Sequence, residues 1–130
     1  MEFLTRQDYE YFFDEEAFNK WGKKAIAKSI NNLKKIIKLT EQKNIKLQIL
    51  YAKEPVLIIK KPIKEILNYL LLEFRNLERP NVKFYYINEY HKIFDDNIDA
   101  YKKLFFIGDI HWNKKGSLLV ANEIINKLNF

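Results

Sequence analysis

The chain has no cysteine, and this absence excludes disulfide bonds, thiolate catalysis and cysteine-based zinc sites. It also has no uninterrupted apolar run of about 18 residues, so no transmembrane helix is predicted. A secretory signal peptide is not predicted either, because a basic start and an apolar core are both missing from MEFLTRQDYEYFF. These absences narrow the chemistry and leave the cellular compartment open.

Arginine is scarce in a chain that is otherwise basic. The formal net charge is +6, yet only three of the 23 basic residues are arginine. Because arginine is the residue best suited to bidentate phosphate and guanine contacts, this scarcity favours a solvated, lysine-rich surface. A basic nucleic-acid-binding module is therefore the least favoured function, and no nucleic acid is expected as a partner.

Glycine and proline number only three each, and no tract of them suggests a linker. With 130 residues, 48% of them hydrophobic, the chain has enough apolar material for a core. We therefore expect a single domain over residues 1–130, without internal repeats.

A long helix is predicted from Asp14 to about Lys43. Asp14 can cap its N-terminus, and the acidic side chain of Glu15 suits the positive end of the helix dipole. Apolar residues then recur at steps of three and four. Gly22 interrupts this helix, and it predicts a kink or a close contact at that point.

Two strands are predicted, at residues 45–52 and Val82–Ile87. Between them, an amphipathic helix is expected to begin with Pro62 in its first turn. A strand–helix–strand unit of this kind is normally parallel. The predicted class is therefore α/β, with few parallel strands flanked by helices. Shorter predicted pieces are an apolar run at 56–59, a helix at 89–94 and a polar turn at 95–97.

A carboxylate and an imidazole lie two residues apart in the stretch FIGDIHWNKKG, residues 106–116. In an extended backbone, side chains two residues apart face the same side, so Asp109 and His111 can face one site. A carboxylate that orients an imidazole is half of an acyl-transfer triad. The plainer alternative is a core histidine with Asp109 tying a loop. A metal pair is disfavoured, because zinc takes three or four ligands and no third one is indicated.

The residues after His111 predict a packing anchor and a last helix. Trp112 is more often a packing residue than a substrate platform, and Asn113 is a good N-cap. The inward face of the helix is expected to carry four residues: Leu118, Ala121, Ile125 and Leu128. The other histidine, His91, is interpreted as a surface or locally satisfied residue.

The segment Gly108-Asp109-Ile110-His111-Trp112-Asn113, with Gly116 and the closing helix, resembles the C-terminal catalytic block of SGNH (GDSL-type) esterases and O-acetyltransferases. The resemblance implies an incomplete flavodoxin-like three-layer sandwich. It implies His111 as the general base, Asp109 as the group that orients it, and Asn113 and Gly116 as the start of the final helix. It further implies an acyl-ester substrate, such as an acylated carbohydrate, and no cofactor or metal. The spacing here is Asp-x-His, whereas Asp-x-x-His is commoner in that family.

No serine of this chain matches the nucleophile of that family, which lies in a Gly-Asp-Ser turn after the first strand. Ser29 falls within a predicted helix, and Ser117 falls in the first turn of another. We therefore expect the chain to be the C-terminal fragment of a serine acyl-ester hydrolase or O-acetyltransferase, inactive alone. The alternative is a non-catalytic interaction domain of the same fold. An exposed sheet edge or the long first helix is expected to allow homo-oligomers.

Overall fold

The structure is a computed structural model that describes residues 7–52, 57, 60–87, 102–106 and 111–128. It is mixed α/β and mostly helical, with one two-stranded parallel sheet. Contacts divide the chain into two compact units. The first unit comprises Gln7–Tyr51 and Pro62–Tyr86, and the C-terminal unit contains the described residues 102–106 and 111–128. The expectation of one domain over residues 1–130 stays a prediction.

The first unit opens with helices that follow one another closely. A 3-10 helix covers Gln7–Phe12, and three adjoining segments follow: α1 (Glu15–Ala17), a π-helical segment (Phe18–Gly22) and α2 (Lys23–Gln42). The predicted cap is confirmed, because Oδ1 of Asp14 accepts a hydrogen bond from the Ala17 amide at 2.9 Å. The long predicted helix is therefore present, with a wider turn inside it.

Gly22 ends the π-helical segment where the chain comes very close to Tyr11. A Cβ atom placed on Gly22 would lie 2.8 Å from both Cβ and Cγ of Tyr11. The ring of Tyr11 also meets the edge of the Trp21 ring, with centroids 5.0 Å apart. The close contact predicted at Gly22 is therefore confirmed, and only a residue without a side chain fits there.

The C-terminus of α2 is closed by a Schellman motif. Asn44 adopts the left-handed conformation, with φ 53°, and its amide donates to the Glu41 carbonyl at 3.0 Å. The Ile45 amide donates to the Thr40 carbonyl at 2.8 Å. These two bonds satisfy carbonyls at the helix end, and they turn the chain into the first strand.

A strand–helix–strand unit completes the first unit, as predicted. Strand β1 is Leu47–Ala52, α3 is Lys64–Arg75 and β2 is Val82–Ile87. The two strands pair, and the Leu47 amide donates to the Asn81 carbonyl at 2.8 Å where the pairing starts. Pro62 precedes α3 and does not lie in its first turn, because Ile63 occupies the N-cap position.

The core of the first unit is formed by apolar side chains of α2, α3 and β2. Burial recurs along α2 at steps of four and seven, and along α3 at a step of four. The buried members are Ile26, Ile30, Ile37, Ile66, Leu70, Val82 and Phe84, and Leu77 joins them from the turn after α3. The stripe predicted for α3 therefore packs inward. The stripe predicted for α2 is confirmed at Ile26, Ile30 and Ile37, and it is wrong at Ala25 and Ile36, which are exposed.

The outer edge of β2, away from β1, is occupied at its start. Val82 forms an antiparallel bridge with Arg79, and the Phe84 amide donates to Oε1 of Glu78 at 3.0 Å. Successive residues of a strand point their peptide groups to opposite edges. Val82 and Phe84 are two residues apart, so their peptide groups point to the same edge, and Arg79 and Glu78 both block it. This arrangement protects β2 against pairing with a further strand there.

The C-terminal unit holds the last helix, α4 (Lys114–Lys127), and a helical turn at residues 102–104. The pieces predicted at 89–94 and 95–97 lie outside the described residues, as does the run at 56–59 except Leu57, which is buried. Within the described part of the chain, every helix is too short or too polar to cross a membrane.

The predicted inward face of α4 is wrong at three of its four positions. Leu118, Ala121 and Ile125 are exposed, and only Leu128 is buried. The stripe that faces inward has four residues at steps of four, three and four: Gly116, Val120, Glu123 and Lys127. The first three are buried, and Lys127 is half-buried. The reason is the contact that Gly116 makes with the preceding backbone.

Candidate active site

The candidate site lies where two short stretches, 104–106 and 111–113, run antiparallel before α4. Phe105 and Trp112 form an isolated antiparallel bridge. The Phe106 amide donates to the His111 carbonyl at 3.1 Å, and the Asn113 amide donates to the Leu104 carbonyl at 2.8 Å. These bonds clamp the ends of the four-residue connection 107–110, which carries Asp109 in the sequence.

His111 is exposed at the end of this connection, one residue before the half-buried Trp112. Asp109 and Gly108 lie outside the part of the chain that the structure describes. The covalent chain nevertheless keeps the Cα atoms of Asp109 and His111 within about 7 Å of each other. The expectation that their side chains face one site stays a prediction. The backbone bond of His111 to Phe106 holds the His111 side of this pair in place.

Asn113 ties the start of α4 to the stretch before the connection. Its Oδ1 accepts hydrogen bonds from the amides of Lys115 at 2.9 Å and Gly116 at 3.1 Å, so the predicted N-cap is confirmed. Its Nδ2 donates to the carbonyls of Lys103 at 2.9 Å and Phe105 at 3.2 Å. Both amide donors and the acceptor oxygen are thus in use, and they fix His111 relative to the helix.

Gly116 allows the first turn of α4 to lie directly on the backbone of Leu104. A Cβ atom at this position would lie 2.1 Å from the Leu104 carbonyl oxygen and 3.1 Å from Cβ of Trp112. No side chain fits at such distances, so the glycine sets how closely and in which rotation α4 packs. Gly116 was predicted to mark the helix start, and its packing role is a finding of the structure.

The two serines lie within helices, as their sequence positions predicted. Ser29 is an exposed residue of α2, and Ser117 is an exposed residue of the first turn of α4. Neither occupies a turn that follows a strand, which is where the nucleophile of the resembled family lies.

One buried titratable residue, Glu123, was not singled out from the sequence. Glu123 is only 8% exposed on the inward stripe of α4. The signal that could have found it is Gly116, because a close contact at that glycine turns the position seven residues later inward. Tyr86 of β2 is expected from the sequence to be a packing aromatic, and its ring stacks on Tyr51 with centroids 5.8 Å apart. Burial raises the pKa of the Tyr86 hydroxyl to about 12.

No cluster of three or more acidic, histidine or cysteine side chains in the described ranges has the geometry to hold a metal ion. A cleft of about 300 Å³ lies in the first unit, and none of the predicted site residues lines it. Its lining residues are Glu10, Asp14, Glu16, Ala17, Lys20 and Trp21. His111 thus remains the candidate with a defined backbone setting.

Comparison with protein-family models, with curated proteins and with solved structures finds no match to this chain.

Proposed function

We propose that this chain supplies the base and the orienting acid of a serine acyl-ester hydrolase or O-acetyltransferase of the SGNH type. His111 is the general base, and Asp109 holds its imidazole in the reactive orientation. The observation that supports this assignment best is the setting of Asp109-x-His111. His111 is exposed and held by its backbone bond to Phe106, and it leads into the helix capped by Asn113, while Asp109 stands two residues before it in the sequence.

The proposed chemistry proceeds through an acyl-enzyme. His111 removes the proton from a serine hydroxyl as that oxygen attacks the ester carbonyl. The tetrahedral intermediate then expels the alcohol, which takes the same proton from His111. Water, or a sugar hydroxyl in a transferase, gives its proton to His111 as it attacks the acyl group. The second tetrahedral intermediate then collapses, and the leaving serine oxygen takes that proton back from His111. In both half-reactions, Asp109 stabilises the imidazolium that forms.

In this proposal the nucleophile is a serine outside residues 1–130, and neither Ser29 nor Ser117 takes that role. Residues 1–130 alone are therefore expected to be inactive. The parallel strand–helix–strand unit is compatible with an incomplete flavodoxin-like sandwich, which is the fold that the resemblance implies. The substrate class is an acyl ester, such as an acylated sugar, and the proposed chemistry needs no cofactor.

A fluorophosphonate probe tests the assignment, because it reacts covalently with serines activated by a neighbouring base. The full-length natural protein that carries this chain is labelled, digested and analysed by mass spectrometry. We expect one labelled serine, distinct from Ser29 and Ser117, and loss of labelling in His111→Ala. His91→Ala is the matched control, since it removes the other histidine of the chain. Labelling that persists in His111→Ala would contradict the assignment.

The second part of the proposal is that copies of this chain associate by pairing their sheet edges. The start of the outer edge of β2 is blocked by Arg79 and Glu78. In the described residues β1 has a single strand neighbour, so its other edge is the one expected to pair with a second copy. Light scattering over a concentration series checks this, and a monomer at all concentrations would contradict it.

A further inference from the structure

Helix α2 carries a second, exposed stripe beside the one that packs into the core. Five uncharged residues form this stripe, at steps of four, three, four and three, and all are exposed: Ala25, Ser29, Asn32, Ile36 and Leu39. We call them the α2 seam. The alternation of four and three is the spacing with which one helix pairs with another. The core stripe is separate and includes Ile30 and Ile37.

The apolar end of the α2 seam is large and unusually open. Ile36 is 46% exposed and Leu39 is 58% exposed. Ile45, itself 48% exposed, is held beside the last turn by its hydrogen bond to the Thr40 carbonyl. In a Schellman motif the residue at this position commonly contacts the last turns of the helix, so Ile45 extends the same apolar end.

On α2 itself, the charged residues that neighbour the seam are lysines. The helix has six lysines and one acidic residue, Glu41, which is paired with Arg79 at 3.1 Å. Lys28 lies three and four residues from Ala25 and Asn32, and Lys35 stands in the same relation to Asn32 and Leu39. Residues at these separations are neighbours on a helix surface. Both lysines are exposed, so they flank the seam on its solvent side.

We propose that the α2 seam binds an amphipathic helix of a partner protein, with apolar residues that face the seam and acidic residues that face Lys28 and Lys35. Opposite charges at flanking positions select the partner in paired helices. A second copy of this chain is a poor occupant, because its own lysines would oppose these. A membrane surface is also disfavoured, because the seam has only two large apolar residues and no aromatic anchor.

A pair of synthetic helical peptides tests the proposal. Both have three heptads with isoleucine and leucine at the a and d positions, and they differ only in carrying glutamate or lysine at e and g. Fluorescence anisotropy with the full chain measures their dissociation constants at low and moderate salt. We expect the acidic peptide to bind at least about tenfold more tightly than the basic one at low salt, and to weaken as salt rises.

Matched variants locate the binding surface. Leu39→Asp is expected to raise the dissociation constant of the acidic peptide at least about tenfold. Leu72→Asp is the control, since Leu72 is 56% exposed on α3 and lies outside the seam. Circular dichroism verifies that both variants are folded. A second variant, Lys28→Glu with Lys35→Glu, should reverse the preference between the two peptides without removing any apolar contact.

Four results would overturn the proposal. They are no binding of either peptide, equal binding of both, an equal loss in Leu39→Asp and Leu72→Asp, and a preference that the lysine substitutions leave unchanged. Two further measurements separate the other occupants. A dimer that Leu39→Asp dissociates would assign the seam to a second copy. Binding to anionic phosphatidylserine vesicles that Leu39→Asp abolishes would assign it to a membrane.

Discussion

Gly116→Ala should lower the free energy of unfolding, although alanine is the better helix former. In an ordinary helix interior the change stabilises by about 1 kcal/mol. Here the new Cβ would lie 2.1 Å from the Leu104 carbonyl oxygen, so α4 must move away from that backbone. Overpacking of this kind costs about 3 kcal/mol. The movement also strains the hydrogen bonds of Asn113, which contribute about 1 kcal/mol more. We expect a net loss of about 3 kcal/mol.

The assay for this prediction combines global and local readouts. Urea unfolding followed by circular dichroism gives the free energy of unfolding, and hydrogen exchange of peptides from residues 111–128 reports on α4 itself. Ser117→Ala is the matched control, because Ser117 is exposed in the same turn and its loss should change stability by less than about 0.5 kcal/mol. If Gly116→Ala were as stable as the wild type, with unchanged exchange in α4, the close packing on Leu104 would be refuted.

Three further predictions follow from single contacts. Asn113→Ala should cost about 1 to 2 kcal/mol in urea unfolding, whereas Asn113→Asp keeps the cap, loses only the two donated bonds and should cost less. Burial raises the pKa of Tyr86 to about 12, above the ordinary value of about 10, so the unfolded chain ionises first and wild-type stability falls from pH 10 towards 12. Tyr86→Phe should remove about 1 kcal/mol of that fall, after allowance for partial exposure. Glu78→Ala frees the Phe84 amide on the outer edge of β2 and should raise self-association in light scattering, while Glu78→Gln keeps an acceptor and should not.

The elements that the sequence predicted best are those fixed by short-range bonds. Asp14 caps α1 through an amide three residues on, and Asn113 caps α4 through amides two and three residues on. Such bonds depend only on local sequence, so residue type and spacing are sufficient. The bounds of β2, Val82–Ile87, are reproduced for a similar reason, since its β-forming run follows the turn signal Pro80-Asn81.

The features that the sequence did not predict depend on contacts between distant residues. The rotation of α4 follows from the approach of Gly116 to Leu104, twelve residues earlier in the chain. Periodicity alone favoured Leu118 and Ile125 as inward residues because they are apolar. The bridge between Phe105 and Trp112 also escaped prediction, because each stretch is too short to show a strand pattern.

The sequence predicted which residues of the candidate site follow one another along the chain. His111 does lie directly before a helix capped by Asn113 and packed through Gly116. Its exposure and the clamp between Phe106 and His111 came only from the structure. Neither Ser29 nor Ser117 has the strand-end setting that the proposed acyl-transfer chemistry needs, since both lie in helices.

Turnover of an aryl acetate by the full-length natural protein measures whether His111 acts as the general base. Three forms are compared at equal concentration: wild type, His111→Ala and His91→Ala. We expect His111→Ala to lower kcat by at least about a thousandfold, because the proposed serine nucleophile loses its base, while His91→Ala retains wild-type kcat. Full activity in His111→Ala would contradict the assignment of His111 as the base.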